Sequence, residues 1–190
     1  MMTKVIPAIL CACSLLLSIA DRPLHSFPSP HTFSIKNRSI DRLSLAKDEF
    51  SLLRNERIGK LQIGLSEEKV KQKIKCVLKR DAEQLWGADG AYHQKWKYVD
   101  CGITLGMVSA KKSGLKSIES IQLNSPSRLS TKRNIQIGSS EKATRKAYQA
   151  ESNGEPTPTN SFVAGSIYGG LIFQFQHGKV SEIFLGAAAE

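Results

Sequence analysis

The sequence predicts an α+β fold of two related modules, each a strand–turn–helix followed by antiparallel strands, behind an N-terminal signal peptide. Three observations predict it: an apolar leader ending in small residues, a seven-residue pattern that recurs 74 positions later, and alternating apolar and polar residues downstream of each copy. The boundaries they set are 1–20 for the signal peptide, 21–56 for a tether with a short element of its own, 57–133 for module one and 134–190 for module two.

Composition narrows the class first. The chain has 190 residues, long enough to bury a core as one domain or two small ones. With 41% hydrophobic and 23% charged residues the composition is globular rather than disordered. No apolar run reaches the roughly 18–20 residues of a membrane-spanning helix, which excludes a multi-span transporter. No His-x-x-x-His, no Cys-x-x-Cys outside the leader, no Walker loop and no Gly-x-Ser-x-Gly is present, so no cofactor and no metal is expected.

In the leader, Met1–Lys4 carries one positive charge and Val5–Ile19 is apolar apart from Cys and Ser, with Pro7 interrupting it. Ser18-Ile19-Ala20 before Asp21 places small residues where signal peptidase reads them, so the mature chain is expected to start at Asp21, in the periplasm or the medium. An alternative route is visible. Leu10-Cys11-Ala12-Cys13 resembles a lipobox, and lipidation at Cys13 would make an outer-membrane lipoprotein. The stretch Ser14–Ala20 stays apolar after that Cys, which favours soluble export. Cleavage after Ala20 removes Cys11 and Cys13 and leaves Cys76 and Cys101. Two cysteines in an oxidising compartment most simply form one disulfide; the rival reading is a nucleophilic Cys.

The repeat organises the rest. Leu61-Gln62-Ile63-Gly64-Leu65-Ser66-Glu67 is matched by Ile135-Gln136-Ile137-Gly138-Ser139-Ser140-Glu141. Each reads as a short strand, a Gly turn with positive φ and a helix capped by Ser, with Glu at the positive end of the helix dipole. Val70, Ile74, Val77 and Leu78 predict one apolar helical face in copy one. Ala143, Ala147 and Ala150 predict a small-residue face beside Tyr148 in copy two. A second short helix is expected over Asp81–Trp86.

Three strands are expected after each helix: Lys95–Val99, Gly102–Met107 and Ile118–Leu123, then Phe162–Ile167, Gly170–Phe175 and Val180–Leu185. The last strand of each set alternates apolar and polar residues, as a half-buried strand does. Gln176-His177-Gly178-Lys179 reads as a hairpin turn, and Ser109–Lys116 is the longer basic loop that makes the same connection in copy one. Asn153–Asn160 is a solvated loop by composition, Pro23, Pro28 and Pro30 suggest an extended tether, and Asp41–Leu53 is expected to add a short helix or an edge strand.

The Q-I-G-x-S-E spacing, with a helix and then paired strands, resembles the small modules of exported bacterial proteins: the β-lactamase inhibitory proteins and the small lipoprotein of the outer-membrane assembly machine. The tandem arrangement is closer to the former. The stretch Phe162–Glu190 also resembles the ends of secreted proteins with the same two copies. The resemblance covers residues 57–190 and speaks for fold more than function. It implies non-catalytic binding to other proteins. No set of inhibitor contact residues is matched, so no target carries over.

Charge and aromatics supply the candidate sites. Residues 57–133 hold 16 Lys/Arg against 7 Asp/Glu, whereas residues 134–190 hold 4 against 5. An exported protein rarely meets nucleic acid, so an acidic envelope or secreted protein, or an anionic membrane surface, is the expected partner of that basic excess. Lys69, Lys71 and Lys73 are the lysines expected to bind it; the plain alternative is a solvated helix face. Trp86 is the aromatic anchor expected at an interface, at the end of the second helix. Trp96 and Tyr98 are expected to share a core-facing strand side with Lys95 and Lys97 outward. A Cys/His/Asp hydrolase can be written from His93, Asp100 and Cys101, but alternation along a strand would send Asp100 and Cys101 to opposite faces. The expected function is therefore an inhibitor or immunity-type binding protein of the cell envelope, with a small envelope hydrolase or a structural outer-membrane lipoprotein as alternatives.

Overall fold

The computed structural model describes residues 50–152, 154 and 158–188. The signal peptide, its cleavage site, Cys13, the proline tether and most of the 153–157 loop lie outside the described residues.

Strands of alternating character pair side by side. The elements are α1 (Ser51–Asn55), α2 (Glu67–Lys73), β1 (Lys79–Arg80), β2 (Gln84–Leu85), β3 (Tyr92–Tyr98), β4 (Ile103–Ser109), β5 (Ser117–Asn124), α3 (Glu141–Ala147), β6 (Ser161–Ser166), β7 (Gly169–Gln176) and β8 (Lys179–Gly186). They form an α+β fold around one eight-stranded antiparallel sheet of order β1-β3-β4-β5-β8-β7-β6, with β2 also on β3. The six expected strands are all present, within a few residues at their ends. His177-Gly178 makes a two-residue turn between the paired Gln176 and Lys179. The middle of the sheet is the β5–β8 pair, where Ile121 faces Leu185 and Leu123 faces Ile183.

Because side chains alternate along a strand, one register row decides a whole face. Trp96, Leu105, Ile121, Leu185, Leu171 and Ala164 are successive cross-strand partners and all are buried. Tyr98, Ile103, Leu123, Ile183, Phe173 and Phe162 form the next row of the same face. Leu52 of α1, Val70 of α2, Tyr148 after α3, and Ile58 and Leu61 of a tight turn join this face in one core. Trp96 and Tyr98 are core residues with Lys95 exposed, as their alternation predicts.

The two G-x-S-E segments meet the sheet through corresponding bonds. Gly64 N–H donates to Ile118 C=O (2.7 Å) and Gly138 N–H to Val180 C=O (2.8 Å). Glu67 N–H donates to Lys116 C=O and Glu141 N–H to Gly178 C=O, both at 2.9 Å. Gly64 and Gly138 have φ of +78° and +87°, a conformation that glycine adopts without the Cβ penalty. Ser66 and Ser140 are both N-cap residues, and Ser140 Oγ accepts from Ala143 N–H at 3.2 Å.

Four expectations are corrected. The helix α2 stops at Lys73, so Val77 is 64% exposed rather than part of an apolar face. From Ile74 the pattern changes period: Ile74, Cys76 and Leu78 turn inward and Lys75, Val77 and Lys79 outward, which is the alternation of an extended chain. Asp81–Trp86 is not a helix; Gln84 and Leu85 pair with His93 and Tyr92 on the edge of β3. That pairing outweighs the helix propensity of Ala82 and Glu83. Asp100 and Cys101 do not sit on a strand but in a 3-10 turn, Val99–Cys101, so strand alternation does not divide them. On α3 the buried positions are Thr144 and, just beyond, Tyr148, while Ala143 and Ala150 are exposed. Tyr148 reaches the sheet and its ring meets Phe173 at 5.3 Å, so the larger residue takes the inward stripe.

Candidate functional site

Among the described residues all three α-helices join the core on one side of the sheet, and the alternate strand residues point the other way. On this open face lie Lys95 of β3, Thr104 and Gly106 of β4, Ser120 and Gln122 of β5, and Phe184 of β8. They floor a cavity of about 750 Å³. One side of it is formed by Asp81–Trp86 and the other by Phe184, Ala187 and Ala188. The floor is small and polar because Gly106, Thr104 and Ser120 occupy its middle, and the two aromatic rings stand at its sides.

His93 is the most constrained polar group in this cavity. Its residue is only 7% exposed, and its ring stacks on Trp86 with centroids 3.8 Å apart and planes 14° apart. Nε2 lies 2.9 Å from Asp89 Oδ2, and Nδ1 lies 2.8 Å from Glu119 Oε2, the latter an ion pair rather than a well-directed hydrogen bond. Asp89 comes from the β2–β3 turn, where its Oδ1 accepts from Ala91 N–H at 2.9 Å. Glu119 comes from β5, two strands from β3, and reaches His93 at a register shift between Gly106 and Met107. A Cβ on Gly106 would lie 2.3 Å from Ser120 Oγ and 3.0 Å from Glu119 Cγ, so bare backbone there lets the Glu119 side chain cross β4.

The electrostatics follow from this geometry. Burial alone would lower the His93 pKa, but the Glu119 and Asp89 carboxylates outweigh it and hold the imidazole above the ordinary histidine value. Asp89 is held below the ordinary carboxylate value, first by the Ala91 N–H and then by His93. With both ring nitrogens against carboxylates, His93 ties the β2–β3 turn to β5.

The structure separates the expected site residues. Trp86 borders the cavity, after β2 rather than at a helix end. Lys69, Lys71 and Lys73 lie on α2, on the other side of the sheet, so they and Trp86 do not make one patch. Nor do the three lysines share one face. Lys71 pairs with Glu67 Oε1 at 2.9 Å and lies 5.6 Å from the Trp96 ring centroid, whereas Lys69 and Lys73, a turn apart, border a different concavity. Cys76 and Cys101 are bonded to each other with Cα atoms 6.3 Å apart, so Cys101 carries no free thiol for the hydrolase arrangement. Cys13 lies outside the described residues.

Sequence reasoning missed Asp89, Glu119 and Phe184, and His93 outside its hydrolase role. Two signals were present. Gly106 interrupts an apolar strand, a mark of close approach, and Glu119-Ser120 breaks the alternation of β5 by one residue.

Comparison with protein-family models, curated proteins and solved structures finds no match for this chain. Among the described residues no helix is long and apolar enough to cross a membrane.

Proposed function

We propose that the chain is an exported, non-catalytic protein-binding module of the cell envelope, of the inhibitor or immunity type, and that it holds its partner on the open face of the sheet. The observation that carries this reading is the cavity of about 750 Å³ between Trp86 and Phe184. Aromatic anchors around a polar floor, on a face that none of the described helices covers, are what a protein interface uses for energy and specificity. The occupant is a loop of another protein, with one apolar side chain seated over Gly106 between the two rings.

Several features support parts of this reading. The corresponding bonds of Gly64 with Ile118 and Gly138 with Val180 support two related modules, at 57–133 and 134–190, joined edge to edge through β5 and β8. The Cys76–Cys101 bond supports export, because disulfides persist in oxidising compartments. The engagement of both His93 nitrogens speaks against a general base in the cavity. The rigid β2–β3 turn speaks for a pre-organised binding surface.

The test is affinity capture from an envelope extract with immobilised mature protein and two variants. Trp86→Ala removes one anchor, and Thr104→Arg fills the floor with a side chain that points into the cavity. The reading expects a discrete bound protein that both variants lose while their circular dichroism and melting temperature stay close to wild type. Retention of the same bound protein by both folded variants would refute it.

A further inference from the structure

A second concavity, of about 470 Å³, lies outside the open face of the sheet, and its charge is one-sided. Arg57, Lys60, Lys69 and Lys73 border it, together with the amides of Gln62 and Gln72, and among the described residues no carboxylate does. We propose that this concavity binds a phosphate-type oxyanion, held by Lys69 and Lys73 from α2 and by Arg57 and Lys60 from the adjoining turn.

The scaffold under these four cations is fixed. Ile58 and Leu61 exchange two backbone hydrogen bonds, at 3.0 and 2.9 Å, and both side chains are fully buried. That tight turn sets the directions of Arg57 and Lys60. Gly59 at its bend donates its N–H to Ser130 C=O at 2.8 Å, which ties the turn to a distant segment. On α2, Val70 and Ile74 are buried, so Lys69, Gln72 and Lys73 emerge together at i, i+3 and i+4.

Two nearby acids, Glu67 and Glu56, are already committed elsewhere. Glu67 pairs with Lys71 at 2.9 Å and also accepts from Lys116 N–H. Glu56, next to Arg57, is only 3% exposed and accepts from Tyr148 Oη at 3.0 Å and Lys132 N–H at 2.9 Å. Among the described residues none of the four cations has a carboxylate partner within ion-pairing distance. Lys69 and Lys73 are a like-charge pair at i and i+4, which opposes helix stability, so α2 itself gains nothing from the pairing. A compact anion with several acceptor oxygens would relieve the repulsion and accept charge-assisted hydrogen bonds from two elements at once. This inference does not rest on the protein-binding reading, because it concerns the helix side of the sheet.

Two sources share that chemistry, soluble oligophosphate and the headgroups of anionic phospholipids. The experiment has an arm for each: inorganic pyrophosphate by titration calorimetry at low salt, and co-sedimentation with phosphatidylglycerol or phosphatidylcholine vesicles. The site variant is Lys69→Gln/Lys73→Gln. The control is Lys142→Gln/Lys146→Gln on α3, which removes the same charge from another helix. Lys60→Gln, at the tip of the turn, is a second probe of the site. Melting temperature and circular dichroism establish that each variant is folded. The proposal expects pyrophosphate binding that weakens at least about tenfold in the site variant, weakens in Lys60→Gln, and is unchanged in the control. Phosphatidylglycerol binding lost in the site variant alone, and displaced by pyrophosphate, would identify the headgroup as the source; pyrophosphate binding without vesicle binding would identify a soluble phosphate. Absence of pyrophosphate binding to the wild type, or equal loss in the α2 and α3 variants, would overturn the proposal in favour of solvated lysines.

Discussion

His93 and Glu119 meet at 2.8 Å although their strands are not neighbours, because Gly106 on the strand between them has no side chain. The pair links the β2–β3 turn, which carries Trp86 and Asp89, to the floor of the open face. The charge of the imidazole therefore bears on how the candidate binding surface is held, and its response to pH can be derived.

The fold holds His93 above its ordinary value, so its proton is bound more tightly in the folded state than in the unfolded chain. Stability from the clamp is then fully present below the unfolded value of about 6.5 and is lost as pH rises through the folded one. Asp89 acts in the opposite sense. Its lowered pKa contributes stability above the unfolded value of about 3.9, lost as pH falls through the folded value. The melting-temperature difference between wild type and His93→Gln should therefore be largest between about pH 4 and 6.5 and shrink as pH rises. A difference that grows above pH 7 would contradict the clamp.

Gly106→Ala should uncouple the same pair. The added Cβ would displace the flexible ends of Ser120 and Glu119, so the global cost should be modest, about 1–3 kcal/mol. The specific effect expected is loss of the Glu119 share of the pH dependence, matching Glu119→Gln. Melting curves of the two variants at pH 5 and pH 8 check it; a wild-type pH dependence in folded Gly106→Ala would show that the carboxylate does not need the bare backbone.

The outer outline of this fold was legible in the sequence, and the details of the site were not. Val180–Leu185 and Ile118–Leu123 alternate apolar and polar residues apart from one two-residue polar step in each, Ser181-Glu182 and Glu119-Ser120, so their strand character is local information. Gly64 and Gly138 announce their turns in the same way. The end of α2 is ambiguous because Ile74, Val77 and Leu78 fit a helical stripe while Ile74, Cys76 and Leu78 fit an extended chain. Contacts with Cys101 and the core decide between the two patterns, and those contacts lie far away in sequence. Trp86 was expected at an interface but set on the wrong element, since β2 exists only by pairing with β3. The stacking of Trp86 on His93 and the Glu119 contact are consequences of that pairing and of the register shift in β5.

The Cys76–Cys101 bond joins residues 25 positions apart and closes the end of α2 onto the β3–β4 turn. Closing a loop of that length should stabilise the chain by about 3 kcal/mol through restriction of the unfolded state. A free-thiol assay on the denatured, non-reduced chain without residues 1–20 should find none, and reduction should lower the urea midpoint. Two reactive thiols, or a midpoint unchanged by reduction, would contradict the bond.

Tyr148 and Glu56 test how the helix layer is held. Burial raises the Tyr148 hydroxyl well above its ordinary pKa, so it remains a donor to Glu56 throughout the neutral range. Tyr148→Phe leaves the buried carboxylate with one donor fewer and should cost about 1–3 kcal/mol in urea unfolding, with the ring packing on Phe173 retained. A loss below about 0.5 kcal/mol would show that the Arg57 and Lys132 N–H groups satisfy Glu56 alone.

The central claim, that the open sheet face binds another protein, is tested most directly by photo-crosslinking. A benzoylphenylalanine in place of Phe184 keeps an aromatic ring at the cavity side, and the same group in place of Lys146 on α3 samples the helix side. After irradiation in envelope extract, the account predicts a discrete adduct from position 184 that Trp86→Ala abolishes, and none from position 146. Adducts of equal yield from both positions, or from position 146 alone, would contradict it.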